Sequence, residues 1–385
     1  MIIYCFDVFS HSQMHLPFNE SYLRILRAAF PDDQIKFFAD SGHIINLKKK
    51  FIADSWVNFS AIDMIKEKFG FSRHNPFFSR IGSNQTLDTI SQLIKSTEIR
   101  FLVFMGVDAG LYSAIASRWT YPTAPKIHLL MHAQLGDSMV WRSRNPFIKN
   151  SDFVSQLKKP LSNNIKIVAL ELGVDESITM IAPHLSKNIL TIEHPIDVSE
   201  FADATTSNQP IRIGFLGNAN RNKGFDVFAD IAKNNKNSNI EFHAVGIKSK
   251  SDGAAVDTSG LVREPVSGGL SRLDYLAGVR QLDIVCSPLY TRCYDFIASG
   301  TVSDAITALK PIIGLKSRTL QAIHQKYGAY GEIFDNPSDI ESFFNDLDYS
   351  FFENLKKTWV TNLINIRKNR MPFELAKKYR YDCDF

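Results

Sequence analysis

The sequence predicts an α/β chain built as two doubly wound, Rossmann-like halves, and three observations carry that expectation. Short apolar runs alternate with amphipathic helical patterns through residues 2–192 and again through 211–314, the rhythm of βαβ units on parallel sheets. A small, polar stretch ending in proline, Phe201-Ala-Asp-Ala-Thr-Thr-Ser-Asn-Gln-Pro210, interrupts that rhythm and has the chemistry of a linker. The length, 385 residues, exceeds the roughly 250–300 residues that one core organises.

Taken in order, strands are expected at 2–6, 35–38, 100–104, 127–131, 165–170 and 189–192. Each is a short, nearly uninterrupted apolar run, as parallel strands buried on both faces require. Helical patterns lie between them at 19–29, 86–95, 109–117 and 177–185. After the linker, strands are expected at 211–216, 240–245, 284–286 and 311–314, and helices at 225–233, 272–279 and 303–308. These periodicities divide the chain into an N-terminal domain at 1–200, a second domain at 211–350, and a basic helical segment at 351–385. That segment carries Trp359, Leu363 and Ile366 on one side and is expected to cross back over both domains. Ligands of doubly wound sheets bind at the carboxyl ends of the strands, so a cleft between the halves is the expected site.

Composition narrows the function classes. With 44% hydrophobic and 22% charged residues, the chain has the make-up of an ordinary soluble globular protein. A net charge of +4 suits anionic small molecules or an anionic membrane surface and is too weak to indicate nucleic acid. Cys5, Cys286, Cys293 and Cys383 form no zinc-type spacing, which points to free thiols in a reducing compartment. The apolar start meets Asp7 at once and reads as a first strand, not a leader. No run of about 18 apolar residues is present to span a bilayer. The expectation is a cytoplasmic protein with peripheral membrane contact, for which Lys48-Lys-Lys-Phe51 with Trp56 and the stretch Phe69-Gly-Phe-Ser-Arg-His-Asn-Pro-Phe-Phe-Ser-Arg80 are the basic, aromatic candidates.

The chemistry concentrates in two strand–loop–helix junctions. The first, Ile211-Arg-Ile-Gly-Phe-Leu-Gly-Asn-Ala-Asn-Arg-Asn-Lys-Gly-Phe-Asp226, gathers a glycine turn, basic side chains and a helix N-terminus around one small volume, which suits a phosphate. Lys223 is the expected point charge on it, with Arg221 as a second cation. The second junction runs from Ile284-Val-Cys-Ser-Pro288 to Ala298-Ser-Gly-Thr301. Ser299 or Thr301 would cap the next helix, and Gly300 would let a pyrophosphate approach the backbone. Together they predict a diphosphate site. In the first half, His132 follows a buried strand, and Asp137 a few residues on is a candidate base toward an acceptor hydroxyl.

These residues resemble GT-B glycosyltransferases, in particular the large retaining group that uses nucleotide-sugar donors in bacterial polysaccharide synthesis. Gly217, followed by Lys223-Gly224-Phe225-Asp226, matches that group's first phosphate motif. Asp304-Ala-Ile-Thr-Ala-Leu-Lys-Pro-Ile-Ile313 matches its acid-Ala-x-x-x-x-Lys-Pro pattern, and Ile192-Glu-His-Pro-Ile-Asp197 stands where it joins its domains. The resemblance implies donor binding by Gly217, Asn218, Arg221, Lys223, Ser299, Gly300, Thr301 and Asp304. Asn218 stands where the group commonly has Arg, and Asp304 stands for the second of two glutamates, to accept the ribose hydroxyls. Asp295 is the acid of the preceding loop, one residue off the usual spacing, and is the candidate for the donor sugar hydroxyls. The resemblance also implies that His132 touches the donor sugar and that Asn19 lies on the acceptor side.

The resulting expectation is a hexosyltransferase acting from a nucleoside-diphosphate sugar to a glycan or lipid-linked acceptor, with retention. It needs no cofactor, and no metal where Lys223 and the helix N-termini neutralise the diphosphate. Two other readings fit the same motifs: a nucleotide-sugar epimerase of GT-B shape, and a non-catalytic subunit that binds nucleotide-sugar. A nicotinamide oxidoreductase is disfavoured, since no G-x-G-x-x-G follows either leading strand.

Overall fold

The computed structural model describes residues 1–12, 14–62, 76–94, 98–119, 124–140, 152–196, 209–249 and 256–383. The chain divides into two compact units. One comprises Met1–Pro195, Phe296–Ala298 and Pro372–Phe385; the other comprises Ile196–Asp295 and Ser299–Met371.

The first unit runs β1 (Ile2–Phe6), α1 (Leu16–Ala29), β2 (Gln34–Ala39), α2 (Ser41–Lys48), β3 (Val57–Ala61), α3 (Pro76–Leu93), β4 (Ile99–Phe104), α4 (Ala109–Arg118), β5 (Ile127–Met131), α5 (Ala133–Val140), α6 (Phe153–Leu157), β6 (Ile165–Ala169), α7 (Val174–Ile181) and β7 (Ile189–Thr191). Its seven strands form a parallel sheet in the order β3-β2-β1-β4-β5-β6-β7. The helices begin where the sequence supplies caps. Asp40, Asp108 and Asp152 each accept a backbone N–H from the first turn that follows. The strands at 2–6 and 127–131 stand where their apolar runs place them. β3 was not anticipated, because only Val57 of its residues is buried and an edge strand has no continuous apolar run to betray it.

The second unit runs β8 (Ile211–Ala219), α8 (Phe225–Asn234), β9 (Ile240–Lys248), α9 (Arg272–Arg280), β10 (Ile284–Ser287), α10 (Thr291–Tyr294), α11 (Gly300–Thr307), β11 (Ile312–Leu315), α12 (Arg318–Tyr327), β12 (Gly331–Phe334), α13 (Pro337–Asp346) and α14 (Tyr349–Asn369). Its five strands are parallel in the order β12-β11-β10-β8-β9. Both β8 and β9 run three residues past the expected ends. Pairing continues to Ala219 and Lys248 because glycine occupies both sides at Gly217 and Gly246. Elements α12 to α13 were not read from sequence.

The basic C-terminal segment is two helices. α14 belongs to the second unit, and α15 (Pro372–Cys383) belongs to the first. The break falls before Pro372, whose ring disfavours helical backbone at Met371 while suiting the first turn of a new helix. In the first unit, α15 places Leu375, Ala376 and Tyr379 in the core with Tyr22 and Phe101. The Tyr379 hydroxyl accepts from that of Tyr22 at 2.9 Å and is also bonded to His128 Nδ1. Burial pushes the His128 imidazole down to about 3, so it is neutral and serves as an acceptor. Among the described residues, no helix is long and apolar enough to cross a membrane.

Tyr379 is fully buried and joins three elements, so Tyr379→Ala is expected to cost about 3–5 kcal/mol. Urea unfolding should show an earlier transition; a midpoint equal to that of the parent chain would show that α15 is dispensable for the first core.

Candidate functional site

In the second sheet the chain turns one way after β8, to reach β9, and the other way after β10, to reach β11 and β12. Adjacent strands whose crossovers diverge leave a crevice at their carboxyl ends. Both phosphate-type junctions stand there. The glycine turn follows β8, and the loop leading to α11 follows β10.

Backbone crowding shapes this end of the sheet. Gly217 has φ +86°, and a Cβ on it would lie 2.9 Å from Thr301 Cγ2 and 3.0 Å from Lys223 Nζ. A Cβ on Gly246 would meet the Gly217 carbonyl oxygen at 1.7 Å, and one on Gly224 (φ +73°) would meet that of Pro288 at 1.9 Å. No side chain fits either space. The turn is held from within, as Lys223 N donates to Asn220 Oδ1 at 2.9 Å. It is held from outside as well, since Tyr290 N donates to the Asn222 carbonyl at 3.0 Å. The result fixes the turn after β8 against the loop after β10.

Of the candidate donor residues, the fold brings Gly217, Lys223 and Thr301 into one cluster. Ser299 caps α11 by accepting from Val302 N, and its hydroxyl bonds that of Thr301 at 3.0 Å. Gly300 opens the helix, and among the described residues nothing lies within 4 Å of where its Cβ would stand. Lys223 is half-buried. Burial lowers its ammonium pKa, and the charge of Asp304 works against that shift. A partly desolvated cation beside a helix N-terminus gains by taking an anion. Asn218 and Arg221 are exposed at the rim.

Asp304 sits in the first turns of α11 and has two partners that sequence reasoning missed. Tyr275 Oη donates to its Oδ2 at 2.7 Å, and Arg272 Nη2 donates to its Oδ1 at 3.3 Å. The i, i+3 spacing of these two on α9 was the available signal, since it places them on one helix face. Asp295 has a different partner. Its Oδ1 accepts from Arg318 N at 2.7 Å, at the start of α12, so its carboxylate serves a helix N-terminus.

The remaining candidates belong to the first unit. His132 follows β5 and packs edge-on against His15 at 4.8 Å and Phe18 at 4.4 Å between ring centres. Burial, reinforced by His15 and His194, holds its pKa well below the ordinary histidine value, while a hydrogen bond to the Met105 backbone opposes the shift. Its Nε2 is buried and has no partner among the described residues, leaving a neutral imidazole with an unpaired nitrogen. Asn19 is fully buried, with Nδ2 2.6 Å from Asp7 Oδ2 and 2.9 Å from His43 Nε2. His43 Nδ1 faces the Ser12 carbonyl at 3.1 Å, so Nδ1 carries the proton and Nε2 accepts from Asn19. Both amide hydrogens of Asn19 are therefore committed inside the protein, and only its Oδ1 lacks a partner. Asp137 lies on α5; its side chain, like Asp197 of the domain junction and, in the second basic stretch, residues 69–75 and the side chains of 76–80, lies outside the described residues. No group of three or more metal-ligating side chains occurs among the described residues.

No protein-family model and no curated protein sequence matches the chain. Solved structures do match along its whole length. The trehalose-6-phosphate protein from E. coli bound with UDP-2-fluoro glucose superposes with a TM-score of 0.68 at 9% identity, covering 100% of this chain and 99% of that one. TarM gives 0.60 at 10% identity, again over 100% and 99%. UGT89C1 of Arabidopsis thaliana complexed with UDP-L-rhamnose gives 0.57 at 9% identity over the same shares. At such identities the likeness is one of architecture, and it settles the architecture: two parallel-sheet domains with the fold of the GT-B glycosyltransferases.

Proposed function

We propose that the chain is a glycosyltransferase that moves a hexose from a nucleoside-diphosphate sugar to a glycan or lipid-linked acceptor in polysaccharide biosynthesis. The observation that carries this reading is the cluster of Gly217, Lys223 and Thr301 at the point where the second sheet changes direction. The diphosphate would lie over Gly217 and Gly300, its charge met by the Lys223 ammonium and the N-terminus of α11. As the bond from the anomeric carbon to the β-phosphate oxygen breaks, negative charge grows on the leaving diphosphate. A fixed cation in a partly desolvated site stabilises that charge more than the ground state. These groups supply the neutralisation without a metal ion. Asp304 would receive the ribose hydroxyls, and His132, whose buried Nε2 has no partner among the described residues, is the candidate for a sugar hydroxyl. Retention is supported by the likeness to trehalose-6-phosphate synthase, whose glycosyltransfer proceeds with retention.

A lipid-linked acceptor accords with the segment around α2. Ile45 is 60% and Ile52 86% exposed, and Lys48, Lys49 and Lys50 lie exposed between them. Each lysine near an anionic bilayer contributes about 1 kcal/mol.

Lys223→Ala is expected to lower kcat/KM for transfer by about 100-fold or more, with far-UV circular dichroism unchanged; full activity in that variant sinks the site. Thermal stabilisation by UDP-, GDP- and dTDP-sugars should single out one nucleotide, because binding to the folded state raises apparent stability. Donor converted without acceptor would indicate an epimerase, and tight binding with no turnover a binding subunit. Sedimentation with phosphatidylglycerol vesicles should bring down the parent chain and leave the Ile45→Asp/Ile52→Asp variant in solution. Equal partitioning of the two would count against membrane contact through this segment.

A further inference from the structure

We propose that Tyr275 and Arg272 are positioning residues that hold the Asp304 carboxylate in the orientation that receives ribose hydroxyls, and thereby make the site select ribonucleotides over deoxyribonucleotides. The inference rests on the nucleotide-sugar reading above and adds to it two residues and a selectivity.

The geometry is a two-sided clamp. Tyr275 Oη donates to Asp304 Oδ2 at 2.7 Å and Arg272 Nη2 to Oδ1 at 3.3 Å. The Arg272 guanidinium also lies over the Tyr275 ring, 5.3 Å from its centre, so the two α9 side chains brace each other. Both sit on one helix, and a short carboxylate on a second helix cannot satisfy both without adopting one rotamer. A carboxylate oxygen has two acceptor positions, and the clamp occupies one on each. One position per oxygen is left, the number that a pair of vicinal hydroxyls needs. The Asp304 side chain is 22% exposed, so those positions are within reach of a ligand.

Electrostatics explain why a clamp is needed. The charges of Lys223 and Asp304 interact, and a free carboxylate would be drawn toward the ammonium. Such an ion pair would consume the cation that the diphosphate requires and turn the carboxylate from the sugar. Instead the Asp304 oxygens pair with α9. Burial, with the neighbouring Asp304 charge, holds the Tyr275 phenol well above its ordinary pKa. It therefore stays protonated and remains a donor.

The test is calorimetric titration of the full chain with UDP, GDP and ADP and with their 2′-deoxy counterparts. The parent chain is expected to favour the ribo form of its preferred nucleotide by about 10- to 100-fold, the value of a hydrogen bond to a charged group. Tyr275→Phe keeps the ring and removes one donor; it should weaken the ribo form, which uses both hydroxyls, more than the deoxy form, which keeps only the 3′-hydroxyl, compressing the preference to within about twofold. Arg272→Ala, losing the longer contact, should compress it less. Lys223→Ala should weaken both forms equally. A ribo-to-deoxy ratio unchanged in Tyr275→Phe overturns the clamp, even where Lys223→Ala upholds the phosphate site. Failure of the parent chain to bind any of the diphosphates overturns the donor site itself.

Discussion

The close approach of backbone to backbone at the carboxyl end of β8 is the constraint on which the site depends. Gly246 lies against the Gly217 carbonyl, and Gly224 lies against that of Pro288. These contacts leave no room for a side chain, and they let the turn after β8 meet the loop after β10 directly. Lys223 is carried on that turn, and α11 begins from the opposite loop. The spacing between the turn that carries Lys223 and the helix N-terminus is thus set by main-chain packing, which yields far less than a side chain does.

The two candidate carboxylates of the second unit illustrate how environment assigns roles. Asp295 and Asp304 are nine positions apart and chemically identical. The first accepts from Arg318 N at the start of α12 and acts as a structural cap. The second lies on α11, within the field of Lys223, and is held by Tyr275 and Arg272. The first unit offers a comparable contrast. Asn19 is spent on Asp7 and His43, whereas His132 keeps a neutral ring with a buried, unpaired nitrogen. In this second pair the difference is one of unused capacity, since a polar group whose hydrogen bonds are already made stabilises the scaffold.

Much of the scaffold was legible because burial on both faces leaves a plain mark. Ile2–Phe6 and Ile127–Met131 are continuous apolar runs, and they are strands of the first sheet. The edge strand Val57–Ala61 left no such mark. Pro372 divided the C-terminal helix, and periodicity across 351–385 did not reveal that its two parts belong to different units. Helical spacing reports which face is apolar and says nothing of which core receives it.

By itself the sequence determined the class of architecture and the two strand–loop–helix junctions with their glycine, basic and capping residues. Those properties are local, written in runs of a dozen residues through periodicity, capping and glycine placement. Tertiary structure decided which candidates share a volume. It set Lys223 Nζ and Thr301 beside Gly217, turned Asp295 toward α12, and brought Tyr275 and Arg272 to Asp304 across about thirty residues of chain. Contacts of that range depend on strand order and helix packing, which no short stretch of sequence encodes.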